Sequence, residues 1–204
     1  LNEKNTTLNI VPPLQFMITD KTGHTATVEP RNGRVIIKDN HVNVLTNAPS
    51  VEWHIENLRN YAFLSPTKTA YPIVGKILTR PMGIEAGTNG LPGGYTSTER
   101  FVRASYLRQQ LHSATDERQN LNNCFKLLDS VSIPKGAVLD GGIPHYTQYQ
   151  LVMDSETLTF YIKPYSTNQI FSLTLTEEIL TQKEMVFFPL KQEIQFTPLK
   201  NTKD

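Results

Sequence analysis

The hydrophobic period of this chain changes twice, and that change restricts the fold more than any single motif. Leu14, Phe16 and Ile18 alternate with Gln15, Met17 and Thr19, the two-residue period of a half-buried strand. Lys21-Thr22-Gly23-His24 supplies a turn. Arg31-Asn32-Gly33-Arg34 predicts a hairpin between Ala26-Thr27-Val28 and Val35-Ile36-Ile37, because Asn-Gly takes the positive φ angles such turns need. An apolar stretch over 42–45 ends at Thr46-Asn47-Ala48-Pro49. Past Pro49 the spacing becomes helical, with Val51, Ile55, Leu58 and Ala62 on one stripe and Ser50 as N-cap. Residues 65–94 are rich in Pro and Gly and read as one long loop, a functional or assembly element. Thr96-Ser97-Thr98-Glu99 is a capping box opening a helix striped by Phe101, Ala104, Leu107 and Leu111. A second helix carries Leu121, Cys124, Phe125 and Leu128. Period two then returns at 147–154, 158–163, 170–175, 185–188 and 193–196, with a short helix at 176–180. Strands, paired helices and strands again predict an α+β fold with helices packed on antiparallel sheet, and 204 residues predict a single domain over 1–204.

Charge and cysteine content narrow the function. Lys plus Arg is 20 against 19 for Asp plus Glu, so the net charge of +1 leaves no surplus to hold nucleic acid by counterion release. No apolar run reaches the length of a membrane span, and Leu1-Asn2-Glu3-Lys4 does not open a signal peptide, which leaves the compartment open between cytoplasm and periplasm. Leu1 is read as a start made by processing or truncation. The single Cys124 sits in a helical apolar stripe, the setting of an inert hydrophobe. The five histidines never fall three or four apart, so neither a metal site nor a cofactor is expected. The Gly87–Gly94 run has no Gly-Lys-Ser/Thr after it, and no G-x-S-x-G elbow occurs. Asn5-Thr6-Thr7 fits a glycosylation sequon, a frequent chance match.

Two polar positions stand out. Asn47 ends an apolar run beside Pro49; its side-chain amide is suited either to donate to a developing oxyanion or simply to turn the chain. Arg100 lies in the first turn of a capped helix, where its charge opposes the macrodipole, so it is either an exposed surface residue or one placed there for another job.

Gly90-Leu91-Pro92-Gly93-Gly94-Tyr95-Thr96-Ser97-Thr98-Glu99-Arg100-Phe101-Val102-Arg103-Ala104 resembles the signature of the choloylglycine hydrolase and penicillin V acylase family. Val44-Leu45-Thr46-Asn47-Ala48-Pro49, Trp53, Asn57-Leu58-Arg59-Asn60-Tyr61 and Ser130-Val131-Ser132-Ile133-Pro134-Lys135-Gly136 are similar to further segments of that family, in the same order, and the likeness runs from about Pro13 to Phe196. The resemblance implies an αββα N-terminal-nucleophile hydrolase sandwich, incomplete in this chain, that cleaves linear amides of conjugated bile acids, penicillin V or related acyl amides. It matches Asn47 to the oxyanion-hole asparagine and Arg100 to the arginine facing a nucleophilic cysteine. That cysteine opens the mature chain in the family, whereas residue 1 here is Leu, so the nucleophile, its neighbouring Arg and Asp and a second oxyanion Asn are expected in an upstream segment. The chain then corresponds to roughly the C-terminal three-fifths of such a domain. Gly94 departs from the family, which has an acidic residue after Pro-Gly.

The expected function is therefore a linear C–N hydrolase of bacterial bile salt hydrolase or penicillin V acylase type, inactive without its upstream segment. A homo-oligomer is compatible with the long loop. Two rivals stand beside it: a non-catalytic α+β binding or assembly module, and one chain of a two-chain amidase like the acid-ceramidase group.

Overall fold

The computed structural model describes residues 14–31, 33–68, 73–191 and 193–200. Leu1, the Asn5 sequon, Asn32 of the hairpin turn and Pro72 of the loop lie outside them. The chain divides into two compact units, Leu1–His112 and Ser113–Asp204.

In the first unit, β1 (Phe16–Thr19), β2 (Thr25–Arg31) and β3 (Arg34–Asp39) form an antiparallel sheet in that order. Arg31 pairs with Arg34 and Gly33 has φ of 71°, as the Asn-Gly reading requires. Thr25, Thr27 and Glu29 bury one face of β2. On the other face Phe16, Val28 and Ile37 line up in register, with Phe16 and Ile37 exposed. Glu29 is a buried carboxylate with a use: its Oε1 accepts from Val51 N at 2.7 Å and its Oε2 from Arg31 Nη2 at 3.1 Å. It thereby satisfies an orphan N–H in the first turn of α1 (Val51–Asn57), which Ser50 also caps by accepting from Trp53 N. The helix is shorter than its stripe suggested, because residues 58–61 tighten into a 3-10 turn.

Residues 42–45 are not a strand. Buried Asn40 uses all of its side chain to fold this segment, accepting at Oδ1 from Val42 N and Asn43 N and donating from Nδ2 to Val44 O and Thr27 Oγ1. Its amide replaces the ladder bonds a strand would have made. The long loop contains β4 (Ile73–Val74), β5 (Ile77–Leu78) and a 3-10 turn, Ala86–Thr88. α2 (Ser97–Gln110) begins with the expected capping box, and its Phe101, Val102 and Ala104 form a core with Val51 of α1 and Val44. Burying a ring the size of Phe101 is worth about 2–3 kcal/mol.

In the second unit, α3 (Glu117–Val131) starts at an Asp116 N-cap, and β8 (Tyr149–Asp154), β9 (Thr159–Pro164) and β10 (Phe171–Thr174) form an antiparallel sheet in the order β10-β9-β8. Here β6 (Leu139–Asp140) and β7 (Ile143–Pro144) form a small hairpin, and α4 (Glu177–Leu180) is the short helix seen in the sequence. Phe125 of α3 is buried, as are Gln150 of β8 and Thr159 of β9, whereas Tyr149, Leu151 and Met153 are exposed. The expected strands at 185–188 and 193–196 do not form. No described strand pairs with them, and Gln195 is held by the Asn168 side chain, which donates to its carbonyl and accepts from its N–H. Among the described residues no helix is long and apolar enough to cross a membrane.

Candidate active site

The two residues singled out by sequence are 53 positions apart and touch. Arg100 Nη2 donates to Asn47 Oδ1 at 2.6 Å, and Arg100 Nε donates to Tyr95 O at 3.0 Å. The contact decides how the asparagine amide points. A guanidinium only donates, so the atom facing it is the carbonyl oxygen, and Nδ2 with its two hydrogens is turned away from Arg100. Asn47 is exposed and Arg100 partly buried. Burial, and after it the charge of Arg103, lowers the Arg100 guanidinium from its ordinary value. It remains a cation at neutral pH, as arginine does in proteins.

The turn before α2 places Arg100. Arg103 donates from Nη1 to Pro92 O at 2.6 Å and Gly94 O at 2.9 Å, bracing the Pro-Gly-Gly segment from inside. Glu99 accepts from Gly94 N at 3.2 Å and closes the capping box with Thr96. A Cβ on Gly94 would run into the Glu99 carboxylate. Gly94→Ala should therefore displace Glu99 and destabilise the protein by about 1 kcal/mol, a fall of a few degrees in Tm. The Glu99 carboxyl is held below its ordinary value, chiefly by the Thr96 hydroxyl, so its stabilisation is present above the ordinary glutamate range and lost as pH falls through the lowered folded value. The difference between Gly94→Ala and wild type should shrink over that acid range, and thermal melts giving the same Tm at neutral pH would disprove the role of Gly94.

Two side chains the sequence reading passed over, Ser97 and His54, hold Asn47 by its backbone, and a third, Thr46, holds Ser97. Ser97 Oγ donates to Asn47 O at 2.7 Å, and His54 Nε2 lies 3.0 Å from the same oxygen. A carbonyl only accepts, so Nε2 carries the proton. Thr46 Oγ1 donates to Ser97 O at 3.0 Å. His54 is fully buried and stacks on Phe101, with centroids 4.5 Å apart and planes at 12°. The available signal was its place three residues after Val51, on the buried stripe of α1. The Ala48–Pro49 bond next to this cluster is cis.

Other features do not join the site. A cleft of about 520 Å³ in the first unit is lined by residues such as His41, Tyr61, Tyr106 and Arg108 and includes neither Asn47 nor Arg100. Cys124 is a free thiol, part-buried in the second unit, and burial pushes its pKa up, away from a nucleophile's. Among the described residues no three His, Cys, Asp or Glu side chains gather as metal ligands would.

A sequence model of the linear amide C–N hydrolases, choloylglycine hydrolase family, matches residues 1–188. The chain belongs to the choloylglycine hydrolase family. It is 33% identical over 162 residues to the conjugated bile acid hydrolase of Lactobacillus acidophilus, covering 79% of this chain and 51% of that protein. It is 32% identical over 186 residues to the bile salt hydrolase/transferase of Lactiplantibacillus plantarum, covering 90% of this chain and 57% of the relative. The chain therefore spans about half to three-fifths of the length of these choloylglycine hydrolase relatives. A cysteine-to-alanine variant of the conjugated bile acid hydrolase from Clostridium perfringens superposes with a TM-score of 0.81 at 27% identity over 91% of this chain and 57% of that one. Penicillin V acylase from Agrobacterium tumefaciens shares the fold, with a TM-score of 0.63 at 20% identity over 82% of this chain and 47% of that one. The α+β fold of the N-terminal-nucleophile hydrolases, implied by the sequence resemblance, holds for this family member.

Proposed function

We propose that this chain carries the Asn47–Arg100 half of a linear amide hydrolase of the bile salt hydrolase and penicillin V acylase type, acting with a cysteine nucleophile in an upstream segment. The observation that carries this reading is the 2.6 Å bond from Arg100 to Asn47 Oδ1, which leaves the Asn47 Nδ2 hydrogens free to donate elsewhere. When a thiolate adds to an amide carbonyl, negative charge develops on the carbonyl oxygen. An asparagine N–H already aimed there stabilises it without reorganisation. Arg100 does two things in this scheme: it fixes the asparagine and contributes a positive charge that favours a thiolate over a thiol. Both units belong to one C-terminal portion of a choloylglycine hydrolase-like domain, a reading supported by the family match running from residue 1 to 188. The exposed apolar face of the first sheet, with Phe16 and Ile37, gives an upstream segment apolar surface to cover.

The substrate class is an acyl amide: a glycine- or taurine-conjugated bile acid, penicillin V or a related acyl amide. The test is release of the amine from each by the full-length protein and by residues 1–204 alone. The full-length protein should hydrolyse at least one, and 1–204 alone should hydrolyse none, because its thiol is not activated. Turnover by 1–204 that disappears in Cys124→Ser would overturn the assignment. An inactive full-length protein would favour a binding module, and a separate upstream polypeptide beginning with Cys would mark a two-chain amidase.

A further inference from the structure

We infer that Ser97 and His54 are positioning residues for Asn47, fixing its backbone while Arg100 fixes its side chain. The inference rests on the oxyanion reading of Asn47 and adds the device that holds it. Asn47 lies on an exposed turn after an irregular segment, a poor platform for a donor that must be placed within a fraction of an ångström. The first turn of α2 corrects this. Ser97 and Arg100 stand three residues apart on one helix face, so one rigid turn holds Asn47 at two points: the Ser97 hydroxyl on its main-chain oxygen and the Arg100 guanidinium on its Oδ1. The second hydrogen bond to that main-chain oxygen comes from His54 Nε2, out of the buried core. The ring belongs to α1 and stacks on Phe101 of α2, so the second donor is packed against the same helix that carries the first. Thr46 completes the clamp through the Ser97 carbonyl. With backbone and side chain both tied to α2, the remaining freedom of Nδ2 is small. Loss of either backbone tie should let the donor drift from the oxyanion, which slows the chemical step and leaves substrate binding alone.

A purely structural role for Ser97 would make its effects independent of Asn47, so the test is a double-mutant cycle in the full-length protein, on whichever acyl amide the wild type cleaves. Ser97→Ala should lower kcat about tenfold with KM within twofold, and Ser97→Thr, which keeps the hydroxyl, should restore most of the loss. In the Asn47→Ala background, adding Ser97→Ala should change kcat less than twofold, because the group it positions is gone. His54→Phe keeps the ring stack and removes the donor; it should behave like Ser97→Ala and show the same non-additivity, with thermal melts confirming a folded protein. If Asn47→Ala is slow but Ser97→Ala turns over at the wild-type rate, or if the two losses multiply, the positioning role is wrong while the oxyanion reading stands. If Asn47→Ala itself turns over normally, or the wild type cleaves no acyl amide, the oxyanion reading falls and this role with it.

Discussion

Asn47→Ala should lower kcat for amide cleavage by about 100-fold or more while leaving KM within a few-fold. The side chain is exposed and its Oδ1 is already engaged by Arg100, so truncation removes little packing and one specific donor. A donor aimed at charge that exists only in the transition state affects kcat and kcat/KM alike, which separates it from a substrate-binding contact. Asn47→Asp sharpens the test. Aspartate keeps the shape and strengthens the bond to Arg100, but it presents an acceptor where the oxyanion needs an N–H, so its kcat should be at or below that of Asn47→Ala. The measurement is steady-state kinetics of both variants in the full-length protein. An aspartate variant near wild-type rate would mean that Asn47 does not donate to the reaction, and a rise confined to KM would assign it to substrate positioning.

What could be read from the sequence divides along a physical line. Signals that act within a few residues came through: Gly33 in its turn, the Thr96–Glu99 capping box and the two-residue period of β8 to β10 all reflect local backbone preference. Segments whose state depends on a distant partner did not. The course of the apolar run at 42–45 is set by the Asn40 amide, and that amide is itself held by Thr27 of β2, 13 residues earlier. Residues 185–188 and 193–196 have strand composition but no described strand to pair with. The same division runs through the site. Asn47 and Arg100 were singled out through the family signature around them, and the structure adds that they touch. His54, Ser97 and Thr46 were not, because a histidine on an apolar stripe and two hydroxyls near a helix start have ordinary structural uses, and only the fold shows that the first two converge on the Asn47 carbonyl while Thr46 ties the Ser97 carbonyl. Glu29 was hidden in the same way, as a strand carboxylate whose partner is the first N–H of a helix 22 residues on.

Arg100→Gln should also reduce kcat by about 100-fold, and its effect on thiol chemistry has a defined sign. As a surface residue in the first turn of α2, Arg100 would slightly oppose the helix dipole, so its neutralisation would leave activity unchanged and shift stability by only a few tenths of a kcal/mol. Its partial burial and its bond to Asn47 argue against that role. Facing a cysteine, the guanidinium favours thiolate; removing its charge raises the thiol pKa, so alkylation slows at neutral pH and converges with wild type at alkaline pH, where both thiols are ionised. Arg100→Lys separates the two jobs. An ammonium keeps the charge but not the planar fork that joins Nε to Tyr95 O and Nη2 to Asn47 Oδ1. The lysine variant should therefore retain most of the thiolate effect yet recover little of kcat, because the asparagine amide is no longer aimed. The experiment is the rate of iodoacetamide modification against pH for the full-length wild type and both variants, beside their kcat values. Coincident alkylation profiles for all three would remove the cysteine from the account of Arg100, and wild-type kcat in Arg100→Gln would remove Arg100 from the active site altogether.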